Sequence, residues 1–285
     1  MTHQQFMAAP AARARYWARS FAGWHEFSGM QPNAAHEAIA RLQQRGWVSE
    51  VVTQNVDRLH HKAGASDVLE LHGTTHRVIC MGCGEISDRQ EFQDKLAALN
   101  PATAEAVEKL MASADEAAQH RRLMLAGSER DASSKPAAVS TAVVRRPDGD
   151  VDIPVRRPDG DVELKDAGQN FFVPPCPRCG GILKPQVTFF GDVLPPERSA
   201  RALQAIEDAD ALLVVGSSLM VYSAFRLAKA AKANGAPLAI ITVGPTRADD
   251  LADMKIEALA GEALSRMASH PALLLQRPYA VAAGL

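Results

Sequence analysis

Two Cys-x-x-Cys pairs, Cys80 with Cys83 and Cys176 with Cys179, hold every cysteine of the chain. Four thiolates in two tight turns match a tetrahedral structural zinc (Zn2+) site. A glycine follows each second cysteine, Gly84 and Gly180, and lets the backbone turn its amides toward the sulfurs. About 90 residues separate the pairs, against about 15–20 in common zinc ribbons, so the intervening chain must leave and return at one place. Four protein ligands leave no open coordination position, which makes the metal structural rather than catalytic. The competing use of such pairs is redox or disulfide chemistry. Cysteines confined to C-x-x-C pairs suit a reducing interior better than a secreted disulfide framework.

The chain has 285 residues and a net charge of -2, with no long run of one sign. That balance argues against a protein working mainly through nucleic-acid phosphates. No stretch approaches the ~20 apolar residues of a membrane span. Arg13, Arg15 and Arg19 precede the first acid, Glu26. Organellar transit peptides share this pattern, as does a basic amphipathic helix belonging to the fold.

Coarse elements follow from periodicity. Residues Gln4 to Ser20 read as helical with a break at Pro10. Asn33 can cap a helix that Gly46 ends. Val48 to Thr53 reads as a short buried strand, and Leu69 to Leu71 and Arg77 to Ile79 as extended pieces. Glu91 to Leu99 and Thr103 to Leu125 read as helices. A segment Arg-Arg-Pro-Asp-Gly-Asp-Val occurs twice, at 145–151 and 156–162, and its Pro-Asp-Gly is turn chemistry. Each copy predicts a small hairpin, with Val143 and Val144 opposite Val151 and Ile153 in the first. The last third alternates strand and helix: Leu183 to Phe190, Ala211 to Val215, Tyr222 to Asn234 and Leu238 to Val243. Apolar strands separated by helices predict an α/β fold, a Rossmann-like doubly wound parallel sheet. In such sheets ligands sit at the carboxyl ends of the strands.

Three polar stretches fall just past strand ends. Thr53-Gln54-Asn55-Val56-Asp57 offers two amides and a carboxylate on one turn, although Asn and Asp are common in any turn. Leu71-His72-Gly73 places an imidazole, the usual general base near neutral pH, beside a residue that permits close approach. Val214-Val215-Gly216-Ser217-Ser218-Leu219 reads as strand, tight turn and helix start, a geometry that suits phosphate. Each is weak alone: a lone histidine is more often structural, and many α/β proteins carry such a turn without a ligand. His60 and His61 carry similarly bland readings.

Together these residues resemble the sirtuins, the NAD-dependent protein deacylases. The likeness rests on Thr53 to Asp57, Leu59-His60, Ala63-Gly64, Leu71 to Gly73, both cysteine pairs, Leu183 to Asp192 and Val214 to Val221, in that order. It covers the chain outside about residues 100–168. Arg15 to Arg19 and Ile241 to Arg247 look like the class II, mitochondrial sirtuin-four-like branch. This makes Phe6 to Trp24 part of the enzyme and favours the helix over the transit peptide. The resemblance implies an NAD-binding domain from residues 1–75 and 183–275, with 1–30 as its cofactor-loop and helical part. It implies a smaller zinc-binding domain over 76–182, with an insertion about 100–168.

The implied activity is NAD-dependent lysine deacylation, releasing nicotinamide and O-acyl-ADP-ribose, with ADP-ribosyl transfer as a second activity. His72 and Asn55 would be catalytic. Gln54, Asn55, Asp57, Gly216, Ser217, Ser218, Thr242 and Gly261 would hold NAD+. Val187, Phe189, Phe190 and Gly191 would line the acyl-lysine channel and pair with the substrate as an added strand. Cys80, Cys83, Cys176 and Cys179 would hold Zn2+. The partner is an acyl-lysine protein, the assembly a monomer, and the compartment the cytoplasm, with the mitochondrial matrix as the alternative. An NAD oxidoreductase fits poorly, because no Gly-x-Gly-x-x-Gly follows a strand.

Several family features are missing. Sirtuins open with a strand, a Gly-Ala-Gly loop and a Pro-Asp-Tyr-Arg type segment, and none stands here. The lost strand is central, and each unpaired buried amide would cost about 1–3 kcal/mol of the roughly 5–15 kcal/mol that holds a domain. A start assigned late, at an internal methionine, is one explanation. A truncated, catalytically impaired zinc protein that binds peptide is the other. Ser223 stands where many sirtuins have proline, and Thr242 where they often have asparagine.

Overall fold

A computed structural model describes residues 1–112 and 170–275 in full, and 155–156 and 162–163 as backbone. The chain divides into two compact units. The smaller holds His3–Phe27 and Gln90–Ile182, and the larger Ser28–Arg89 and Leu183–Leu285. Residues 3–27 thus cluster with the segment after the first cysteine pair.

In the smaller unit, α1 (His3–Ala8) and α2 (Pro10–Gly29) meet at Pro10, whose preset dihedral suits a first helical position. The second helix runs well past the expected Ser20. Its inner face buries Trp17, Ala18, Phe21 and Trp24. This face packs on α5 (Arg89–Leu99): the Trp17 and Phe92 rings meet edge-on at 4.8 Å. Trp24 Nε1 donates to Gln90 Oε1 at 2.7 Å. Asn100 is buried and satisfied. Its Nδ2 donates to the Leu96 and Phe172 carbonyls, and its Oδ1 accepts from Phe172 N–H at 2.6 Å. A further helix, α6, covers 101–112; the rest of the stretch expected as helix to Leu125 lies outside the described residues. So does the first copy of the repeat. Around the second copy, β5 (Val155–Arg156) and β6 (Val162–Glu163) pair antiparallel, as a hairpin requires.

In the larger unit, α3 (Ala34–Gln44) starts as the sequence predicts. Asn33 Oδ1 accepts from the Ala35 and His36 amides, and His36 Nδ1 accepts from Asn33 N–H. This is a capping box with histidine in place of the usual Glu or Gln. Gly46, at φ 76°, follows the helix. Next come β1 (Val51–Thr53), α4 (Leu59–Lys62), β2 (Val68–Glu70), β3 (Gly73–Cys80) and β4 (Ile86–Asp88). After the segment of the smaller unit lie β7 (Leu183–Val187), α7 (Pro196–Glu207), β8 (Leu212–Val215), α8 (Tyr222–Ala233), β9 (Leu238–Ile241), β10 (Met254–Ile256), α9 (Ala260–Ser269) and α10 (Pro271–Leu274).

The parallel strands form two ladders, β1-β2 and β10-β9-β8. One core lies under α7 and α8, with Ala202, Ile206, Leu227, Ala228, Leu238 and Ile240 buried in it. A second joins α3 to α9 through Ala38, Leu42, Ile241, Leu264 and Ala268. Here the structure corrects the sequence: β7 is not in the parallel sheet. It pairs antiparallel with β3 in an order β4-β3-β7. Pro185 explains why β7 stands at an edge: it cannot donate to a second ladder, and an irregularity between Thr74 and Val78 lies beside it. Among the described residues no helix is long and apolar enough to cross a membrane.

The cap at Asn33 carries a prediction. Asn33→Ala removes the acceptor for two α3 amides and should lower unfolding free energy by about 1 kcal/mol. Urea denaturation would show a lower midpoint with an unchanged slope.

Candidate functional site

The site is built where strands end. Behind β1, the 53–57 turn is tied down through the Val56 carbonyl. It accepts from Thr75 N–H at 3.1 Å, Thr75 Oγ1 at 2.9 Å and Thr74 Oγ1 at 3.3 Å. Asn55 N–H donates to Thr53 Oγ1, and Asp57 Oδ1 accepts from Leu59 N–H. Arg58 takes φ 62° to let the turn enter α4. Gln54 Nε2 reaches the β8–α8 turn and donates to Ser217 Oγ at 2.8 Å. Ser217 Oγ also accepts from Leu219 N–H at 3.1 Å, inside a turn where Gly216 and Leu219 both have positive φ.

His72 follows β2. Its Nε2 lies 2.8 Å from Ser223 Oγ, in the first turn of α8, and the Gln54 backbone acts on the ring in the sense that favours its protonated form. Burial lowers its pKa, the Gln54 bond opposes this, and the Arg198 charge on α7 lowers it further. The ring is therefore neutral at pH 7 and able to accept a proton. Gly73 takes φ 82°, and a Cβ there would collide with the Gln186 carbonyl oxygen of β7. Thr188 N–H donates to the His72 carbonyl at 2.8 Å.

Within β7, Lys184 is buried. Its Nζ donates to the Val187 carbonyl, pairs with Asp192 Oδ2 at 2.8 Å and lies 4.5 Å from the Phe189 ring centre. Gly191 closes this turn at φ 78°, and Phe190 is 73% exposed.

Of the residues singled out in the sequence, Gln54 and Ser217 are joined by a hydrogen bond, and the Gln54 backbone acts on the His72 ring. Asn55 and Asp57 share their turn, and Val187, Phe189, Phe190 and Gly191 lie on the adjoining edge. Thr242 and Gly261 have other partners. Thr242 N–H donates to the Ile256 carbonyl, and a Cβ at Gly261 would lie 3.8 Å from the Ala34 Cβ. Among the described residues no hydrogen bond ties either to His72 or Ser217. Sequence reasoning missed Arg198 and the Lys184–Asp192 pair, and saw Ser223 only as a departure from a family pattern. Arg198 and Ser223 carry no local signal, since each acts on a residue distant in the chain.

The four cysteine sulfurs lie within 4.8 Å of one another. Zinc with bonds near 2.3 Å needs sulfurs about 3.8 Å apart, so the set fits the ion. Gly82 N–H and Gly181 N–H point at Cys80 Sγ and Cys179 Sγ, as amides do around thiolates.

The Sir2 family profile matches residues 1–223, and the chain belongs to that family, the sirtuins. It is 46% identical over 267 residues to the NAD-dependent protein deacylase SRT2 of Arabidopsis thaliana, covering 94% of this chain and 64% of that protein. It is 40% identical over 265 residues to the NAD-dependent protein deacylase Sirt4 of Drosophila melanogaster, covering 93% and 70%. The chain thus spans less than two thirds of the plant relative's length. A solved structure described as Sir2 bound to acetylated peptide superposes with TM-score 0.60 at 24% identity, over 92% of this chain and 79% of that one. At that identity the likeness speaks for the fold alone.

Two outcomes follow. The purified protein should carry about one zinc per chain by metal analysis, and Cys176→Ser should lose the metal and melt at lower temperature. The second concerns pH. His36, His60, His72 and His76 are all held below 6.5, chiefly by burial, and His60 falls to about 4. The unfolded chain therefore binds protons first as pH drops through about 6.5. Stability should be level above pH 6.5 and decline from there toward about pH 4, and His60→Leu should flatten part of that decline. Denaturation midpoints across this range, on protein whose metal content is checked at each pH, measure it.

Proposed function

We propose that the chain is an NAD-dependent protein-lysine deacylase of the class II branch. The observation that carries the proposal is the His72 ring, 2.8 Å from Ser223 Oγ at the start of α8 and held below its usual pKa by burial, in a chain with deacylase-named relatives. NAD+, when bound, supplies a cleavable ribosyl–nicotinamide bond, and the products are deacylated lysine, nicotinamide and O-acyl-ADP-ribose.

The β8–α8 turn suits a phosphate. No side chain caps α8, so an anion can meet its first amides next to Gly216, Ser217 and Ser218. In this reading Gln54, Asn55 and Asp57 hold the nicotinamide riboside, with Thr242 and Gly261 toward the adenosine side. His72 accepts the proton of a ribose hydroxyl, and Asn55 orients the ribose and a water. The edge of β7 through Val187, Phe189, Phe190 and Gly191 receives the acyl-lysine segment as an added strand. Pro185 leaves that edge unable to pair along its whole length, which favours a short segment. The protein acts as a monomer in the cytoplasm, the mitochondrial matrix being the alternative, and cysteines confined to a metal cluster suit either compartment.

Nicotinamide release from NAD+, followed by chromatography with and without an acetyl-lysine peptide, tests this. Release should require the peptide, and His72→Ala should slow it about 100-fold or more. Peptide binding without any nicotinamide release, by protein with its zinc in place, would count against the enzyme.

A further inference from the structure

Ser223 has no part in the roles assigned above, yet it makes the closest contact to the His72 ring. Its hydroxyl lies 2.8 Å from Nε2, from a residue 151 positions away in the chain. Both partners are half-buried. Ser223 sits in the first turn of α8, a helix anchored by the buried Ala224, Leu227, Ala228 and Ala231. The hydroxyl is therefore presented by a rigid element, not by a free loop.

A neutral imidazole has one N–H and one lone pair. The Gln54 backbone raises the ring's pKa, as a carbonyl that accepts from the ring N–H does. A serine hydroxyl can donate or accept. With the N–H already used, Ser223 donates to the lone pair on Nε2. The two contacts come from opposite sources, one from the end of β1 and one from the start of α8.

We propose that Ser223 is the positioning residue of His72: its hydroxyl donates to Nε2, fixes one ring orientation and one tautomer, and yields its place to a substrate hydroxyl. The proposal rests on His72 being the base of the deacylase reading. Proline at this position could not do the same, having no hydroxyl to offer.

The groups that act on the ring are the Gln54 carbonyl, the Ser223 hydroxyl and the Arg198 guanidinium on α7. Removing a donor from the lone pair disfavours the neutral form. Ser223→Ala should therefore raise the His72 pKa, by about half to one unit. Ser223→Thr keeps a hydroxyl and should hold it near the wild-type value.

The test uses the zinc-loaded protein in two arms. In the first, long-range 1H–15N spectra of the free protein report the tautomer and titration of His72, assigned by His72→Gln. Wild type should show the proton on Nδ1 and a bare Nε2. Ser223→Ala should shift the titration upward and mix the tautomers, and Ser223→Thr should do neither. In the second, the pH dependence of nicotinamide release is followed for the same three proteins. The alanine variant should lose about tenfold in kcat, with its acid limb moved to higher pH and KM for NAD+ little changed. Thermal melts confirm that each variant folds.

A wild-type ring protonated on Nε2, or a titration identical in wild type and Ser223→Ala, overturns the proposal. A threonine variant that melts normally yet behaves as alanine also overturns it. If the spectra behave as expected but no protein releases nicotinamide, the contact stands and the deacylase reading falls.

Discussion

The close approach of β3 and β7 just after His72 is the constraint on which the rest of the site depends. A glycine at φ 82° leaves room for the Gln186 carbonyl where any side chain would collide, and Thr188 N–H closes on the His72 carbonyl two residues later. Two backbone segments more than a hundred residues apart in sequence are thereby fixed against each other without any side-chain freedom. One of them carries the imidazole. The other carries the edge strand and the Phe189-Phe190-Gly191 turn. The position of the base relative to that edge is thus set by backbone hydrogen bonds, which vary less than side-chain contacts.

The same turn is held from below by a buried charge. Lys184 would lose its hydration at large cost if it were alone. Asp192 and the Val187 carbonyl answer that charge, so the turn must return over the strand to satisfy it. Such a pair adds little net stability against an apolar replacement, yet breaking one side of it is expensive. Its value here is geometric: it selects one path for residues 187–192, and that path exposes Phe190 while turning Phe189 toward the lysine.

Much of this was legible in the sequence, and the remainder was not, for identifiable reasons. The cysteine pairs, Asn33 as a cap and Gly46 as a stop are local signals, because the chemistry and its partner lie within a few residues. Strands β8 and β9 announce themselves as unbroken apolar runs. By contrast, β7 looks like another such strand, because orientation leaves no mark on composition; only Pro185 hints at an edge. The extent of α2 past Ser20 was hidden because the partners of its second half lie far along the chain: Phe21 meets the Phe171 ring and Trp24 donates to Gln90. The Ser223–His72 contact is of the same kind. A serine beside a helix start looks ordinary until the fold brings an imidazole to it.

Charge placement completes the picture. The Asp57 carboxylate pulls on His36, His60 and His76, raising each against a stronger lowering by burial. The charge that reaches His72 is instead the Arg198 guanidinium. A base beside a carboxylate would be drawn toward its protonated form and would arrive at neutral pH already occupied. Setting the acid against the neighbouring histidines and a guanidinium against the base divides the two roles. His72 stays neutral because the fold keeps water and negative charge away from it, and a neutral ring is the form that can take a proton.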